Sequence, residues 1–163
     1  MYKVGIITAS DAGSVGKRQD LSGPAIEEIL GNYEDFKVGK YRMLPDEVTA
    51  LSHEMKEMAD KDGLDLILTT GGTGFSKRDV TPEATSAVIE REAPGIAEAM
   101  RYFSLQITPR AMLSRAIAGI RGNTLIVNMP GSPKAVKETL DYILPSLKHG
   151  LDILQGHDSN CAR

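Results

Sequence analysis

Short apolar runs that end in turn-forming loops are the feature that most restricts how this chain can fold. Residues Tyr2 to Thr8 are apolar and β-branched, and they run directly into the turn-rich segment Ser10 to Ser14. Residues Leu64 to Thr70 have the same character and run into the glycine cluster Gly71 to Gly74. Such runs, bounded by turn residues, are typical of buried strands. A glycine cluster directly after a strand also indicates that the backbone approaches another group closely.

Amphipathic segments alternate with these runs, and each begins with a recognisable helix start. The predicted starts are Ser22, Pro45-Asp46-Glu47, Thr81-Pro82-Glu83, Pro94-Gly95 and Ser132-Pro133. Hydroxyl side chains accept hydrogen bonds from the first amides of a helix, so we expect Ser22, Thr81 and Ser132 to be N-caps. A proline inside a helix removes a hydrogen bond, and Pro145 therefore predicts a kink or interruption in the last helix.

Strands that alternate with helices predict an α/β protein. A weaker strand candidate covers Lys37 to Leu44, and the segments Ala116 to Arg121 and Thr124 to Asn128 are predicted to form a hairpin. We therefore expect a three-layer α/β/α fold with a mostly parallel central sheet plus one antiparallel strand. Residues 1–156 are predicted to form one domain, followed by a polar tail over residues 157–163.

Composition and charge exclude several classes of protein. The formal net charge of −3 provides no positive field for DNA or RNA, so no nucleic-acid partner is expected. No stretch approaches the roughly 18 apolar residues of a membrane helix, and the first residues resemble a strand rather than a signal peptide. We therefore expect a cytoplasmic protein with no membrane contact. The single cysteine, Cys161, excludes an intrachain disulfide, and a metal site formed with His157 is the weaker alternative for the tail.

Four unusual segments follow the predicted strands. In open α/β sheets, ligands bind beyond the carboxyl ends of the strands, where these segments lie. They are Ser10-Asp11, Pro45-Asp46, Gly71 to Asp79 and Asn128 to Pro133. We expect all four to line one mouth at the same edge of the sheet.

The segment Gly71 to Asp79 combines glycines, hydroxyls and positive charge. Its glycines allow backbone N–H groups to turn toward an anion, and Thr73 and Ser76 add hydroxyl donors. Lys77 and Arg78 add positive charge. The loop is not a Walker A motif, because Ser76 stands where that motif has a glycine before the lysine. It is not a dinucleotide-binding fingerprint either, because Lys77 stands where that motif has its third glycine. We predict a phosphate-binding loop, and a tight turn without a ligand is the alternative.

Asp46 and Asp79 are acids at loop–helix junctions. Carboxylates at such places can hold Mg²⁺ against phosphate oxygens, and this makes both residues candidate metal ligands. The alternatives are that Asp46 is a simple N-cap and that Asp79 only favours the following helix start. The segment Asn128 to Pro133 has two equally weighted interpretations, an anion site or a structural helix start with Ser132 as N-cap.

Several motifs together resemble the molybdopterin adenylyltransferase (MogA-like) family. The main match is Thr69 to Gly74 followed by Arg78 to Thr85. Further matches are Pro45-Asp46-Glu47, Leu113-Ser114-Arg115 and Asn128 to Pro133. The resemblance extends from Met1 to about Leu154, and Lys77 departs from the small residue or proline expected before Arg78.

This resemblance implies an enzyme of molybdenum cofactor biosynthesis that binds ATP with Mg²⁺ and the dithiolene pterin molybdopterin. It implies that the pterin phosphate attacks the α-phosphate, giving adenylylated molybdopterin and pyrophosphate. At the matching positions, Asp46 and Asp79 are expected to be catalytic and to hold the metal. The residues expected to bind substrate or nucleotide are Ser10, Asp11, Gly71, Gly72, Thr73, Gly74, Ser76, Ser114, Arg115, Asn128, Pro130, Gly131 and Ser132. A homotrimer and hand-over of the product to a molybdate-inserting enzyme are also implied.

Close relatives of the family keep two other functions open. These relatives are the MoaB-like proteins, the gephyrin G domain and a related domain of competence-damage proteins. A non-catalytic molybdopterin carrier of the MoaB-like kind would retain the phosphate-binding loop without needing metal carboxylates. A nucleotide hydrolase would consume its nucleotide with water and without pterin.

Overall fold

The computed structural model describes residues 1–157, so Cys161, and with it the metal site considered as the weaker alternative for the tail, lies outside the described residues. The strands are β1 (Tyr2–Ala9), β2 (Phe36–Leu44), β3 (Leu66–Thr70), β4 (Arg91–Glu92), β5 (Ala118–Arg121) and β6 (Thr124–Met129). The helices are α1 (Asp11–Ser14), α2 (Ser22–Leu30), α3 (Val48–Lys56), α4 (Thr81–Ser86), α5 (Pro94–Leu105) and α6 (Pro133–Leu154). A π-helical turn, Glu57–Lys61, continues α3, and a 3-10 helix, Pro109–Leu113, follows α5.

The strands form one sheet in the order β2-β1-β3-β6-β5-β4. Strand β1 is parallel to β2 and β3, and β3 is parallel to β6. Strand β5 is antiparallel to both of its neighbours, β6 and β4, so it runs against the rest of the described sheet. The predicted fold class and the predicted hairpin are confirmed. Strand β4 was not predicted, because two exposed residues leave no periodic signal in a sequence.

The central strands are buried on both faces of the sheet. Ile6 and Leu68 lie on the face covered by α2, α5 and α6, whereas Ile7 and Ile67 lie on the face covered by α3 and α4. All four side chains are fully buried. Successive residues of a strand point to opposite faces, so a strand covered on both sides needs apolar residues throughout. This explains the continuous apolar runs that dominate the sequence.

Two of the three predicted N-caps are corrected by the structure. Ser22 and Thr81 are the first residues of α2 and α4, and neither side chain caps its own helix. The Ser22 hydroxyl donates instead to the Gly131 carbonyl oxygen at 2.7 Å, and the Thr81 hydroxyl donates to that of Gly71 at 2.9 Å. Ser132 is the N-cap of α6, as predicted. The corrections arise because each hydroxyl finds its hydrogen-bond partner in another loop, and a local sequence pattern does not reveal such a partner.

Of the kink or interruption predicted at Pro145, the interruption is not found, because helix α6 continues past this residue. One face of this helix is buried over its whole length, and this packing holds the helix together across the proline. The buried residues are Val136, Thr139, Leu140, Ile143, Leu144, Leu147 and Leu151. Within residues 1–157, no helix, α6 included, combines the length and apolar character needed to cross a bilayer.

Candidate functional site

A cavity of about 300 Å³ opens at the carboxyl ends of the central strands, and we call it the phosphate cavity after the ligand that the sequence predicts for its glycine loop. Its lining includes residues from the loops after β1, β2, β3 and β6. The predicted site residues in this lining are Ser10, Asp46, Gly71, Gly72, Asp79 and Gly131. Each of the four segments expected at the mouth therefore contributes to the same cavity.

The backbone of Gly71 and Gly72 forms one wall of the phosphate cavity. Their φ angles are +88° and +68°, in the left-handed region that costs other residues about 1–2 kcal/mol. A Cβ at Gly71 would collide with the Ala9 carbonyl oxygen, and a Cβ at Gly72 would collide with the Thr81 hydroxyl. Glycine is therefore required at both positions, and this wall contains no side-chain atoms.

Asp46 is held by a reciprocal pair of hydrogen bonds with Asp11. The Asp11 N–H donates to Oδ2 of Asp46 at 2.9 Å, and the Asp46 N–H donates to Oδ1 of Asp11 at 3.0 Å. The other oxygen, Oδ1 of Asp46, lies beside the loop, 3.0 Å from where a Cβ at Gly72 would be. Burial raises the pKa of Asp46 despite the Asp11 amide, and the charges of Asp11 and Asp79 raise it further.

Asp79 reaches the same cavity from the far end of the glycine loop. Its Oδ2 accepts a hydrogen bond from the Ser76 amide at 2.9 Å. A Cβ at Gly74 would lie 2.8 Å from this oxygen, so the loop backbone passes close to the carboxylate. Because Asp79 also acts electrostatically on Asp46, two negative charges converge on one cavity.

Arg115 braces the glycine loop. Its N–H donates to the Thr73 carbonyl oxygen at 2.9 Å, and its guanidinium donates to those of Gly74 at 2.8 Å and Asp79 at 2.6 Å. The guanidinium also binds Glu83, and this hydrogen-bonded ion pair lowers the pKa of the Glu83 carboxyl. Arg115 therefore positions the backbone on either side of the loop that carries Asp79.

Arg78 connects the glycine loop to the loop after β1. Its Nε and Nη2 each donate to one oxygen of Asp11 at 2.9 Å. These hydrogen bonds are the main reason that the pKa of the Asp11 carboxyl is lowered. The positive charge that we expected to face a phosphate is thus engaged with a carboxylate, and Arg78 is not among the residues that line the phosphate cavity.

Asp46 and Asp79 form a donor pair suited to a hard divalent cation. Mg²⁺ is usually held by one or two carboxylates, with its other positions filled by water and substrate phosphates. Within residues 1–157, no group of three or more His, Cys, Asp or Glu side chains is arranged to hold a metal. The carboxylates of Asp46 and Asp79 therefore suit a metal ion that also binds a phosphate ligand, rather than an ion coordinated entirely by protein side chains.

A second cavity of about 230 Å³, here called the apolar cavity, lies between α5, the 3-10 helix and the start of α6. Pro130 lines the apolar cavity, whereas the next residue, Gly131, lines the phosphate cavity. The small and hydroxyl-bearing residues of its lining are Ala97, Ser104, Thr108, Ala111, Ser114, Ala116, Ala135 and Thr139. One loop, after β6, therefore borders both cavities.

The chain matches known proteins over nearly its whole length. Residues 5–149 match the family described as the probable molybdopterin binding domain. The chain is 41% identical over 158 residues to the molybdopterin adenylyltransferase of Helicobacter pylori strain J99, covering 94% of this chain and 88% of that protein. The chain belongs to the molybdopterin adenylyltransferase family. It is 46% identical to the family member of Haemophilus influenzae, covering 88% of this chain and 73% of that protein.

The fold of the family is also found in solved structures. The molybdopterin biosynthesis enzyme MoaB from Thermus thermophilus superposes with a TM-score of 0.91 at 50% identity, covering 96% of this chain and 98% of that chain. The glycine loop and its flanking motifs predicted the family, and the alternation of strands and helices predicted the fold; both expectations are confirmed.

Two further predicted site residues of this family member, Asn128 and Ser132, contact the protein rather than a cavity. Asn128 is fully buried, and its amide donates to the hydroxyls of Thr69 at 3.0 Å and Thr85 at 2.8 Å. Its Oδ1 accepts from the Ile117 amide at 3.2 Å. Ser132 caps α6. These contacts position the loop after β6, so a direct ligand contact by Asn128 or Ser132 stays a prediction that the geometry does not favour.

Asp11, Thr73, Gly74, Ser76 and Arg115 surround the phosphate cavity without lining it. Thr73 is buried, and the contacts of the others described above fix the glycine loop and the loop after β1. Ser114 and Pro130 line the apolar cavity instead. The predicted site residues therefore fall into three groups: some line the phosphate cavity, some line the apolar cavity, and the others hold the surrounding loops in place.

Sequence reasoning missed the segment between α1 and α2, where Arg18, Gln19, Asp20 and Leu21 line the phosphate cavity. Asp20 accepts hydrogen bonds from Thr8 and from Tyr41, whose pKa is raised to about 12 by burial and by this bond. The available signal was an acid two residues before a helix start. It was overlooked because Ser22 offered a simpler capping interpretation.

Proposed function

We propose that this protein catalyses the Mg-ATP-dependent adenylylation of molybdopterin in molybdenum cofactor biosynthesis. An oxygen of the pterin phosphate bonds to the α-phosphorus of ATP, the bond from that phosphorus to the oxygen bridging to the β-phosphate breaks, and pyrophosphate leaves. One observation carries the proposal: Asp46 and Asp79 converge on a cavity whose wall is the bare backbone of Gly71 and Gly72.

Asp46 and Asp79 are the residues that would hold Mg²⁺. The bound ion would neutralise charge on the phosphates. Oδ2 of Asp46 is engaged by the Asp11 amide, which orients the carboxylate and leaves Oδ1 directed along the glycine loop. Transfer of this kind depends on positioning and charge neutralisation, so it needs no protein nucleophile.

We propose that the apolar cavity takes the pterin. Ring-shaped ligands are usually bound in mostly apolar cavities with a few polar groups that fix their orientation, and the lining hydroxyls of Ser104 and Ser114 suit this role. The shared border at Pro130 and Gly131 would bring the pterin phosphate to the nucleotide. Ser10 and Gly131, in the phosphate cavity, would contact the phosphates.

We further propose that residues 1–156 act as the molybdopterin-binding domain of a cytoplasmic homotrimer that hands its product to a molybdate-inserting enzyme. Several large apolar side chains near the end of α5 and on the 3-10 helix are at least 40% exposed: Tyr102, Leu105, Ile107, Met112 and Leu113. Grouped apolar exposure of this kind supports a subunit contact. Analytical ultracentrifugation of the purified protein tests the trimer.

The activity is tested by incubating the pure protein with molybdopterin, ATP and Mg²⁺ and measuring adenylylated pterin and pyrophosphate together. We expect equal amounts of the two products, and no product when either pterin or Mg²⁺ is withheld. Formation of neither product by a protein that binds both substrates would count against the proposal.

The same experiment separates the two other functions. A carrier would bind molybdopterin tightly, independently of ATP, and release no pyrophosphate. A hydrolase would release nucleotide products when the pterin is omitted. Titration calorimetry with molybdopterin, with and without ATP, completes the distinction.

A further inference from the structure

The segment of residues 15–21, between α1 and α2, brings one cationic side chain to the phosphate cavity. Arg18 lines this cavity together with three acids, Asp20, Asp46 and Asp79, and no other lysine or arginine is in the lining. Within the part of the chain that the structure describes, the Arg18 guanidinium has no hydrogen-bond or ion-pair partner. Arg18 is therefore available to an anionic ligand.

The other arginines around the glycine loop are not available in this way. Arg78 makes its bidentate pair with Asp11, and Arg115 binds Glu83 and two loop carbonyl oxygens. An arginine with its donors satisfied by the protein stabilises loop geometry but has little left to offer a phosphate. Arg18 is thus the arginine of this region whose donors remain unused.

The N-terminus of α2 cannot replace this cation, because Asp20 already occupies it. Oδ1 of Asp20 accepts from the amides of Ser22 at 2.9 Å and Gly23 at 3.2 Å. Oδ2 accepts from the hydroxyls of Thr8, at 2.8 Å, and Tyr41. Burial by itself would raise the pKa of Asp20, but these hydrogen bonds lower it, so the carboxyl is an anion in the cavity wall. A polyphosphate entering the cavity meets this extra negative charge.

The backbone around Arg18 is anchored although the side chain is free. The Lys17 N–H donates to the Ala12 carbonyl oxygen at 2.8 Å, after a turn in which Gly16 has a φ of +74°. Two residues beyond Arg18, the bonds made by Asp20 tie the segment to the sheet. A fixed backbone presents the guanidinium to the cavity at a low cost in backbone entropy.

We propose that Arg18 binds the β- and γ-phosphates of ATP, the part that leaves as pyrophosphate. This inference rests on the proposed function. The α-phosphate must lie near the shared border at Pro130 and Gly131, where the pterin phosphate reaches it. The remaining two phosphates carry most of the charge and need a cation in the same acidic cavity, and a guanidinium binds phosphate through paired N–H donors.

The test compares Arg18→Gln and Arg18→Lys with the control Lys17→Gln, which removes the same charge from an exposed neighbour that does not line the cavity. Calorimetry with Mg²⁺ measures the binding of ATP, pyrophosphate and AMP to each variant. We expect Arg18→Gln to weaken ATP and pyrophosphate binding about tenfold, the loss of one charge-assisted contact, and to leave AMP binding unchanged. Arg18→Lys should be intermediate, because lysine keeps the charge but not the paired donors.

Two results would overturn the inference: equal binding of ATP by Arg18→Gln and Lys17→Gln, or an equal loss of AMP and pyrophosphate binding in Arg18→Gln. Neither measurement requires pterin or turnover. A wild-type protein that binds ATP but does not adenylylate molybdopterin would reject the proposed function, while the variants would still decide the role of Arg18. A wild-type protein that binds neither ATP nor pyrophosphate would reject both.

Discussion

The phosphate cavity and the apolar cavity share a border at Pro130 and Gly131 but differ in what surrounds the ligand. Three carboxylates, one arginine and bare glycine backbone line the first, whereas the second is lined mainly by alanines and hydroxyl-bearing residues, with two arginines, Arg101 and Arg110, and no acid. The first therefore suits charged groups and a metal ion, and the second suits a ring. The contrast supports the proposed division, in which carboxylates and a metal ion hold the nucleotide, a mostly apolar lining with two arginines holds the pterin, and the two phosphates meet at the border.

The sharpest test of this contrast removes charge from the phosphate cavity alone. We expect Asp46→Asn and Asp79→Asn each to lower kcat for adenylyl transfer about a hundredfold or more, because each removes a proposed metal ligand. Binding of molybdopterin should be unchanged, since neither residue lines the apolar cavity. Steady-state kinetics and pterin titration measure the two effects.

Asp35→Asn is the matched control, because Asp35 is an exposed acid outside both cavities. It should leave kcat unchanged. Undiminished turnover in both Asp46→Asn and Asp79→Asn would contradict the assigned roles.

The second test asks whether the bare wall of the phosphate cavity is required. Gly72→Ala places a side chain at a φ of +68° and against the Thr81 hydroxyl, so we expect a loss of about 1–3 kcal/mol in the free energy of unfolding, together with weaker ATP binding. Gly150→Ala is the control, since Gly150 lies in α6 with nothing within 4 Å of the added Cβ, and alanine favours a helix. Denaturant unfolding measures both variants, and equal stability of Gly72→Ala and wild type would refute the requirement.

The third test fills the apolar cavity. Ala111→Leu adds a branched side chain to a cavity of about 230 Å³, and we expect the KM for molybdopterin to rise about tenfold with ATP binding unchanged. Ala87→Leu, the same substitution at an exposed position outside both linings, should change neither value. A rise in the KM for ATP but not for the pterin in Ala111→Leu would reverse the assignment of the two cavities.

The smallest expected effect concerns the pKa of Asp46, which burial raises in the folded state. Below its pKa in the unfolded chain, Asp46 is protonated in both states and has no effect on stability. As pH rises through the higher folded pKa, the folded protein must ionise a partly buried carboxyl and loses stability. We therefore expect Asp46→Asn to be the more stable protein at neutral pH, with a Tm higher by about 1–3 °C, and the difference to shrink toward acid.

Thermal unfolding monitored by circular dichroism at several pH values provides this measurement. A Tm for Asp46→Asn below that of wild type at neutral pH would show that the carboxylate stabilises the fold instead. At subsaturating Mg²⁺, protons compete with the metal for Asp46, so the raised pKa of the metal-free carboxyl predicts that activity falls at a higher pH than an ordinary aspartate would give.

Most of the fold was predictable because its signals are local. The runs containing Ile6 and Ile67 are mostly apolar, since both faces of the sheet are covered, and the hairpin after Ala118 has its own turn. Strand β4 was not predicted because its two residues are too few to show the alternating pattern of a strand. An interruption of α6 at Pro145 was one of the two expected outcomes, and it does not occur because burial along α6 outweighs the loss of one hydrogen bond.

The candidate site was less predictable because its side chains choose partners from distant parts of the chain. Arg78 was expected to face a phosphate, but it pairs with Asp11, 67 residues earlier. Tyr41 and Asp20 form their contact across 21 residues, and no local pattern marks either of them. The sequence likewise does not show that the Arg18 guanidinium is available to a ligand, because this depends on which groups the neighbouring side chains bind.

The sequence by itself determined the α/β class, the glycines at Gly71 and Gly72 and the presence of Asp46 and Asp79 beside strand ends, because backbone conformation and burial pattern depend on nearby residues. The tertiary structure alone decided which charges are neutralised within the protein, which side chains line a cavity, and that one loop separates a charged cavity from an apolar one. These properties depend on distances of a few ångströms between residues far apart in the chain, and such distances exist only once the sheet and its helices have packed.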